Sequence, residues 1–247
     1  MVITSDAITL RLIPYSETSL ISRIYTKQHG KVTLMAKGAR RSKSSLSAIL
    51  EPANLISATY FHKDSRNIQT IKEASFIDNY STMKSQLLTL NYGLSVVECL
   101  DKTSYESNPI PILFRLVKRV LEKLDNHETN KDNIFGFFLY QFAVRQGFKP
   151  EISTCSHCRQ PLGIALFDSR NGELSCEQCI SHTALSIDET ALQMLKAWEG
   201  KHIDEISIQQ TETKSVKQSI HFLILFLLYH LEGMKNIKSL ATLDVLQ

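Results

Sequence analysis

The apolar residues of this 247-residue chain change their period near residue 80, and that change decides what can fold where. Ile8, Leu10 and Leu12 alternate with Ala7, Thr9 and Arg11. Leu20, Ser22 and Ile24 alternate with Ile21, Arg23 and Tyr25, and after Gly30 so do Val32, Leu34 and Ala36 with Lys31, Thr33, Met35 and Lys37. Two further runs, Leu55–Phe61 and Gln69–Ile77, flank the turn-like Lys63-Asp64-Ser65-Arg66-Asn67. A period of two marks half-buried strands. Five short strands within about 75 residues suit a small sandwich or barrel.

From about residue 81 apolar residues recur at three and four, one face of a helix. Leu87, Leu90, Leu94 and Val97 make the first helix. Leu113, Leu116, Val117, Val120, Leu121 and Leu124 make the second, with Pro109 and Pro111 at its start, where proline costs least. Phe135, Phe138, Leu139 and Phe142 predict a helix over 132–147. Asp188 is placed to cap one carrying Ala191, Leu192, Leu195 and Trp198 as far as Gly200. Ser215 to Glu232 is the most apolar helix, and Phe222 to Tyr229 is apolar all round, as the centre of a bundle would be. That run of eight falls short of the ~20 residues a membrane span needs. Asn126–Asp132 and Asp204–Thr213 read as loops. With 43% hydrophobic and 21% charged residues the chain can bury a sizeable core, which excludes whole-chain disorder. Without a basic leader ahead of an apolar stretch, a cytoplasmic protein is expected.

Cys155-Ser-His-Cys158 and Cys176-Glu-Gln-Cys179 form two knuckles with seventeen residues between them. A two-residue gap lets both thiolates of a knuckle face one point, and two knuckles supply a tetrahedron of sulfurs. The spacing predicts one structural zinc ion, with a small hairpin around Ile164, Leu166 and Phe167 ahead of Asn171-Gly172. Two disulfides would need an oxidising compartment. A redox pair would accompany a βαβ pattern, and a deaminase zinc would need His-x-Glu and Pro-Cys-x-x-Cys. Nothing in the chain supports these three. His157 or His182 replacing a cysteine is a further alternative. Cys99, in a helical apolar stretch, reads as a buried thiol.

No phosphate-binding glycine loop and no Gly-x-Ser-x-Gly nucleophile turn occurs. The eight histidines are scattered; His221 and His230 flank the apolar helix as core or edge groups. No catalytic residues are expected. Charge is more informative. Thr18 to Leu50 contains no acid and seven bases: Arg23, Lys27, Lys31, Lys37, Arg40, Arg41 and Lys43. One-signed charge over such a length attracts polyanions, although a solvated strand-and-loop surface would carry the same residues.

The runs Tyr15-Ser-Glu-Thr-Ser-Leu20, Tyr25-Thr-Lys-Gln-His-Gly30-Lys and Ala36-Lys-Gly-Ala-Arg-Arg41-Ser-Lys-Ser44, followed by Glu51-Pro52 and Ile71-Lys-Glu-Ala, resemble the N-terminal signature of the bacterial DNA repair protein RecO family. The resemblance implies an α+β multidomain fold. Residues 1–80 would form a five-stranded oligonucleotide-binding (OB) barrel, and 81–247 an α-helical domain with a four-cysteine zinc module at about 151–181. It further implies a non-enzymatic recombination mediator of the RecF pathway, cytoplasmic and nucleoid-associated. Such a protein binds single- and double-stranded DNA, anneals complementary strands, and works with RecR in loading RecA onto DNA covered by single-strand-binding protein. Neither a small-molecule substrate nor a membrane enters that picture. The seven bases between residues 18 and 50 would contact DNA. Tyr25, Tyr60 and Phe61 are either stacking platforms or core. Arg115, Lys118, Arg119 and Lys123 would rim an apolar groove for the acidic tail of the single-strand-binding protein. The rival reading is a zinc-containing RNA-binding or transcriptional adaptor on the same barrel.

Overall fold

The computed structural model describes residues 1–180 and 185–243. The chain divides into two compact units, Met1–Asp125 together with Ile237–Leu240, and Asn126–Asn236 together with the described residues from Ala241 on.

In the first unit β1 (Val2–Pro14), β2 (Leu20–Thr26), β3 (Gly30–Ala36), β4 (Leu55–Phe61) and β5 (Ile68–Asp78) close into a barrel ordered β1-β2-β3-β5-β4. All pairs are antiparallel except β3 with β5, a parallel contact of Thr33–Met35 with Ile68–Thr70. The first half of β1 pairs with β4 and the second half with β2. Its register shifts between Thr9 and Arg11, the irregularity that bends a strand around a barrel. Alternation sends Leu20, Ile24, Val32, Leu34, Ile56 and Ala58 inward as core. The short helix α1 (Leu46–Ile49) adds Ile49 to that core. Buried Asn54 holds α1 in place: its amide donates to the carbonyls of Ala48 and Ile49, both at 3.0 Å, and its backbone N–H donates to Thr9 Oγ1 at 2.8 Å.

Helices α2 (Ser81–Lys84), α3 (Leu87–Thr103) and α4 (Pro111–Asp125) complete this unit. α3 lies against β1 and α4. Gly93 permits the approach of α2, because a Cβ there would sit 2.6 Å from the sulfur of Met83. The segment after α3 crosses the β2–β3 hairpin. Ser107 N–H donates to the Lys31 carbonyl at 3.0 Å, Thr33 Oγ1 donates to Glu106 at 3.0 Å, and Ile110 N–H donates to the Tyr25 hydroxyl at 3.0 Å. Gly30 (φ +65°) is required at this crossing, since a Cβ would lie 2.4 Å from the Asn108 carbonyl oxygen.

The second unit packs α5 (Lys131–Arg145), α6 (Glu189–Gly200), α7 (Ile203–Ile208) and α8 (Thr213–His230) with a small sheet ordered β7-β6-β8. Its strands are β6 (Ala165–Asp168), β7 (Glu173–Ser175) and β8 (Leu185–Ile187). Asp188 caps α6, accepting from Ala191 N–H at 2.8 Å. α8 buries Phe222, Leu223, Ile224, Phe226 and Leu227 as expected of a central helix, but it ends at His230, short of the expected Glu232. The expected loop at 204–213 contains α7 instead. This six-residue helix starts on a capping box of His202 and Glu205, and it is too short to show a period. Among the described residues no helix is long and apolar enough to cross a membrane.

Candidate metal centre and nucleic-acid interface

The two knuckles converge. The sulfurs of Cys155, Cys158, Cys176 and Cys179 all lie within 4.8 Å of one another, and none is in a disulfide. Cys155 begins a tight turn that Arg159 closes by donating its N–H to the Cys155 carbonyl at 3.0 Å, with Arg159 at φ +62°. Cys176 follows β7, and its turn closes through Cys179 N–H to the Cys176 carbonyl at 3.1 Å. Ser156 N–H donates to the Leu174 carbonyl at 3.0 Å and so ties the first knuckle to β7. The β6–β7 hairpin turns at Gly172 (φ +71°), whose Cβ would collide with the Tyr229 ring.

The donor set fits a soft tetrahedral cation. Metal–sulfur bonds of ~2.3 Å imply sulfur–sulfur edges of roughly 3.8 Å, and Cys158 Sγ lies 3.7 Å from Cys176 Sγ. Burial alone would push the Cys155 thiol up. Backbone N–H groups of Cys158, Cys176 and His157 outweigh that effect and bring it down to about 5. Cys179, hydrogen-bonded to Cys176 and Cys158, is pushed up to about 12. His157 is turned away from the ligand role: its Nδ1 lies 3.0 Å from both Ser156 Oγ and Ser175 Oγ. His182 lies outside the described residues. Cys99 is fully buried, and burial raises its thiol far above its ordinary value.

The seven bases of the acid-free stretch separate into three groups. Lys37, Arg40, Arg41 and Lys43 are exposed on the loop between β3 and α1, with no carboxylate partner among the described residues. That loop is clasped to the β1–β2 loop: Arg40 N–H donates to the Thr18 carbonyl at 3.0 Å and Arg40 Nη1 to the Ser16 carbonyl at 2.8 Å. Lys27 is exposed on the β2–β3 turn, at the other end of the barrel. Arg23 and Lys31 are engaged within the unit. Arg23 pairs with Asp101 at 3.2 Å, a carboxylate only 2% exposed, and Lys31 Nζ donates to the Asp101 carbonyl at 2.9 Å. Both side chains leave the outer face of the barrel where α3 covers it, so they anchor that helix.

The aromatic candidates separate as well. Tyr25 and Tyr60 are fully buried and cannot serve as platforms, whereas Phe61 is 45% exposed. Burial pushes the Tyr60 hydroxyl up to about 12. Tyr15, 63% exposed, is with Phe76 and Tyr105 among the exposed aromatics of this unit that the strand pattern does not single out. It precedes Ser16, to which Arg40 is tied, and a bulky ring in a polar inter-strand stretch was its available signal. On α4, Lys118 and Arg119 reach Glu122 at 3.8 and 3.2 Å, and Arg115 is exposed. The apolar side of α4, including Leu113, Val117, Val120, Leu121 and Leu124, is buried in the core and does not open as a groove.

Comparison with known proteins gives this geometry a lineage. Residues 1–80 match the family model for the N-terminal part of recombination protein O, and residues 84–241 the model for its C-terminal part. The chain is 36% identical over 151 residues to the DNA repair protein RecO of Salinibacter ruber, a match covering 61% of this chain and 58% of that protein. It is 32% identical over 223 residues to the DNA repair protein RecO of Bacillus pumilus, covering 89% of this chain and 85% of that one. It is 26% identical over 225 residues to the Bacillus subtilis protein of the same name, covering 89% and 87%. With both family segments matched in order on a five-stranded barrel followed by helices and a four-cysteine cluster, the chain belongs to the recombination protein O family.

Proposed function

We propose that this chain is a non-enzymatic recombination mediator that holds DNA by its phosphates and anneals complementary strands. A role in DNA repair and recombination comes with the family. The finer reading rests on one observation: an acid-free loop carrying Lys37, Arg40, Arg41 and Lys43 is hydrogen-bonded to a neighbouring loop that presents Tyr15 to solvent. Cations reaching phosphates supply affinity without base information, and an exposed ring supplies stacking for unpaired bases. Neutralising two strands at one surface lowers their mutual repulsion and favours pairing. Cys155, Cys158, Cys176 and Cys179 would hold zinc, which in a closed shell of four thiolates contributes folding energy alone. RecR, RecA loading and the tail of the single-strand-binding protein are partners and steps carried over from the family resemblance.

The test is annealing of complementary oligonucleotides, with and without bound single-strand-binding protein. Acceleration in both supports the reading. A preference for RNA of the same sequence, or no acceleration, overturns it. In the double variant Arg40→Ala/Arg41→Ala, log affinity for duplex should fall less steeply with log salt, by up to about two units. Stability should fall by only about 0.5–1.5 kcal/mol, the worth of the exposed Arg40–Ser16 hydrogen bond that the variant removes, since neither arginine has a carboxylate partner among the described residues. An unchanged slope removes this loop from the interface. Tyr15→Ala should weaken single-strand binding by roughly 5- to 150-fold, the range for one stacked base, and leave duplex binding nearly intact. Equal losses on both substrates would rule out stacking.

A further inference from the structure

A cleft of about 780 Å³ opens at the end of the barrel away from the Arg40–Arg41 loop, between the β4–β5 loop and the segment that crosses the β2–β3 hairpin. Both walls are fixed before any ligand arrives. On one side buried Gln69 holds the β4–β5 loop together. Its Oε1 accepts from Lys63 N–H at 2.9 Å, and its Nε2 donates to the carbonyls of Lys63 at 3.0 Å and Arg66 at 2.6 Å. On the other side Glu106 and Ser107 are bonded to Thr33 and Lys31 as described above.

The imidazoles of His29 and His62 face each other with centroids 6.3 Å apart and planes at 25°. That is the loose end of the range for ring pairs, which extends to about 7 Å. The turn carrying His29 is held by its backbone N–H, which donates to Thr26 Oγ1 at 2.9 Å. His62 is held by Asp64 Oδ1 at 2.8 Å and by the edge of Tyr60 at 6.4 Å.

We infer that this cleft receives an unstacked nucleobase of a single strand, making a second contact at the opposite end of the barrel from Tyr15. The inference rests on the DNA-binding reading and adds a site to it. The volume lies within the usual range for small-ligand clefts, ~300–1,000 Å³. The distribution of charge sets the orientation of the occupant. Asp64 and Glu106 line the cleft and would repel a phosphate, whereas Arg66 lines it as a cation and Lys63 and Lys27 are exposed on the flanking turns. A polyanion is therefore accepted base-first, with its backbone left outside among the cations. Gln28 and Asn67 supply amide groups that can meet the edge of any base, and the imidazoles supply flat faces, so the site tolerates all sequences. A paired base cannot enter, which makes the contact selective for single strands.

The experiment uses the full chain with a 5-iodouracil-substituted single strand, irradiated and mapped by mass spectrometry, alongside equilibrium binding to single strand and duplex. Crosslinks are expected in the segments 28–29 and 62–69. His29→Ala should lower single-strand affinity at least about fivefold, the lower end for one stacked base, with duplex affinity unchanged. His29→Phe, which keeps a flat ring, should retain wild-type binding and so separates stacking from a folding defect. Crosslinks confined to Tyr15 and the 37–43 loop, with His29→Ala binding single strand as wild type does, would overturn the cleft while leaving the DNA-binding reading intact. Failure of the wild-type chain to bind either substrate would overturn both.

Discussion

Replacing Cys176 with serine should release the bound metal and unfold the segment around residues 152–180, while the N-terminal barrel stays folded. On the proposed reading the segment depends on the cation that the four sulfurs would hold. Its sheet has strands of only four, three and three residues, at the short end of the usual range of roughly 3–10. Its buried apolar side chains, among them Ile152, Leu162, Phe167 and Leu174, are few. Structural zinc in zinc-finger peptides contributes an apparent ~10–16 kcal/mol near pH 7, far more than so small a core can. Removing one of four thiolates opens the shell. The damage should reach α8, since Phe167 packs edge-on against Phe222 with ring centroids 5.2 Å apart.

Metal content should fall from about one zinc per chain to near zero, amide exchange should rise through residues 152–180, and chelation of the wild type should reproduce both. Acid should do the same. Protons compete with the cation for sulfur, so affinity falls as pH falls, and the stability the metal confers is lost on the acid side. Wild-type protein kept reduced, free of metal and still protected through this segment would refute the assignment.

The knuckles were legible in the sequence because their geometry is local: two residues between sulfurs fix a turn, whatever surrounds it. The barrel strands were legible for the same reason, since alternation over seven residues is itself the structure. What escaped depends on distant chain. The alternation of β2 and β3 correctly places Arg23 and Lys31 on the outer face, but not what covers that face. Asp101, about seventy residues on, engages two of the candidate DNA contacts and ties them to α3. Of the two readings open for Tyr25, platform or core, its burial beneath Ile110 selects core, again through a distant residue. β8 has three residues and is specified only by its pairing with Ala165–Phe167. The beginning of β1 was missed because Ser5 takes an inward position where an apolar residue would have continued the pattern. Asp188 as the α6 cap and the burial of α8 were readable, each resting on residues within a turn or two of one another.

Substituting alanine for Gly136 should destabilise the second unit by roughly 1–3 kcal/mol, although glycine to alanine within a helix ordinarily stabilises by up to about 1 kcal/mol. The reversal comes from one contact. Gly136 lies in α5 with the indole of Trp198 against its backbone; an added Cβ would stand 2.2 Å from Cη2 and 2.4 Å from Cζ2. Trp198 has little room to retreat, being fully buried with its carbonyl accepting from Gln141 Nε2 at 2.7 Å. Trp198→Ala alone should cost about 3–5 kcal/mol through the cavity it leaves. The diagnostic result is the pair. With the indole gone the clash is gone, so Gly136→Ala in the Trp198→Ala background should be neutral or stabilising, and the two changes should couple by more than 1 kcal/mol. Denaturant titration of the four proteins, followed by far-UV circular dichroism because Trp198 is the sole tryptophan, gives the cycle directly. Additive losses would mean that α5 and α6 are not held together through this contact.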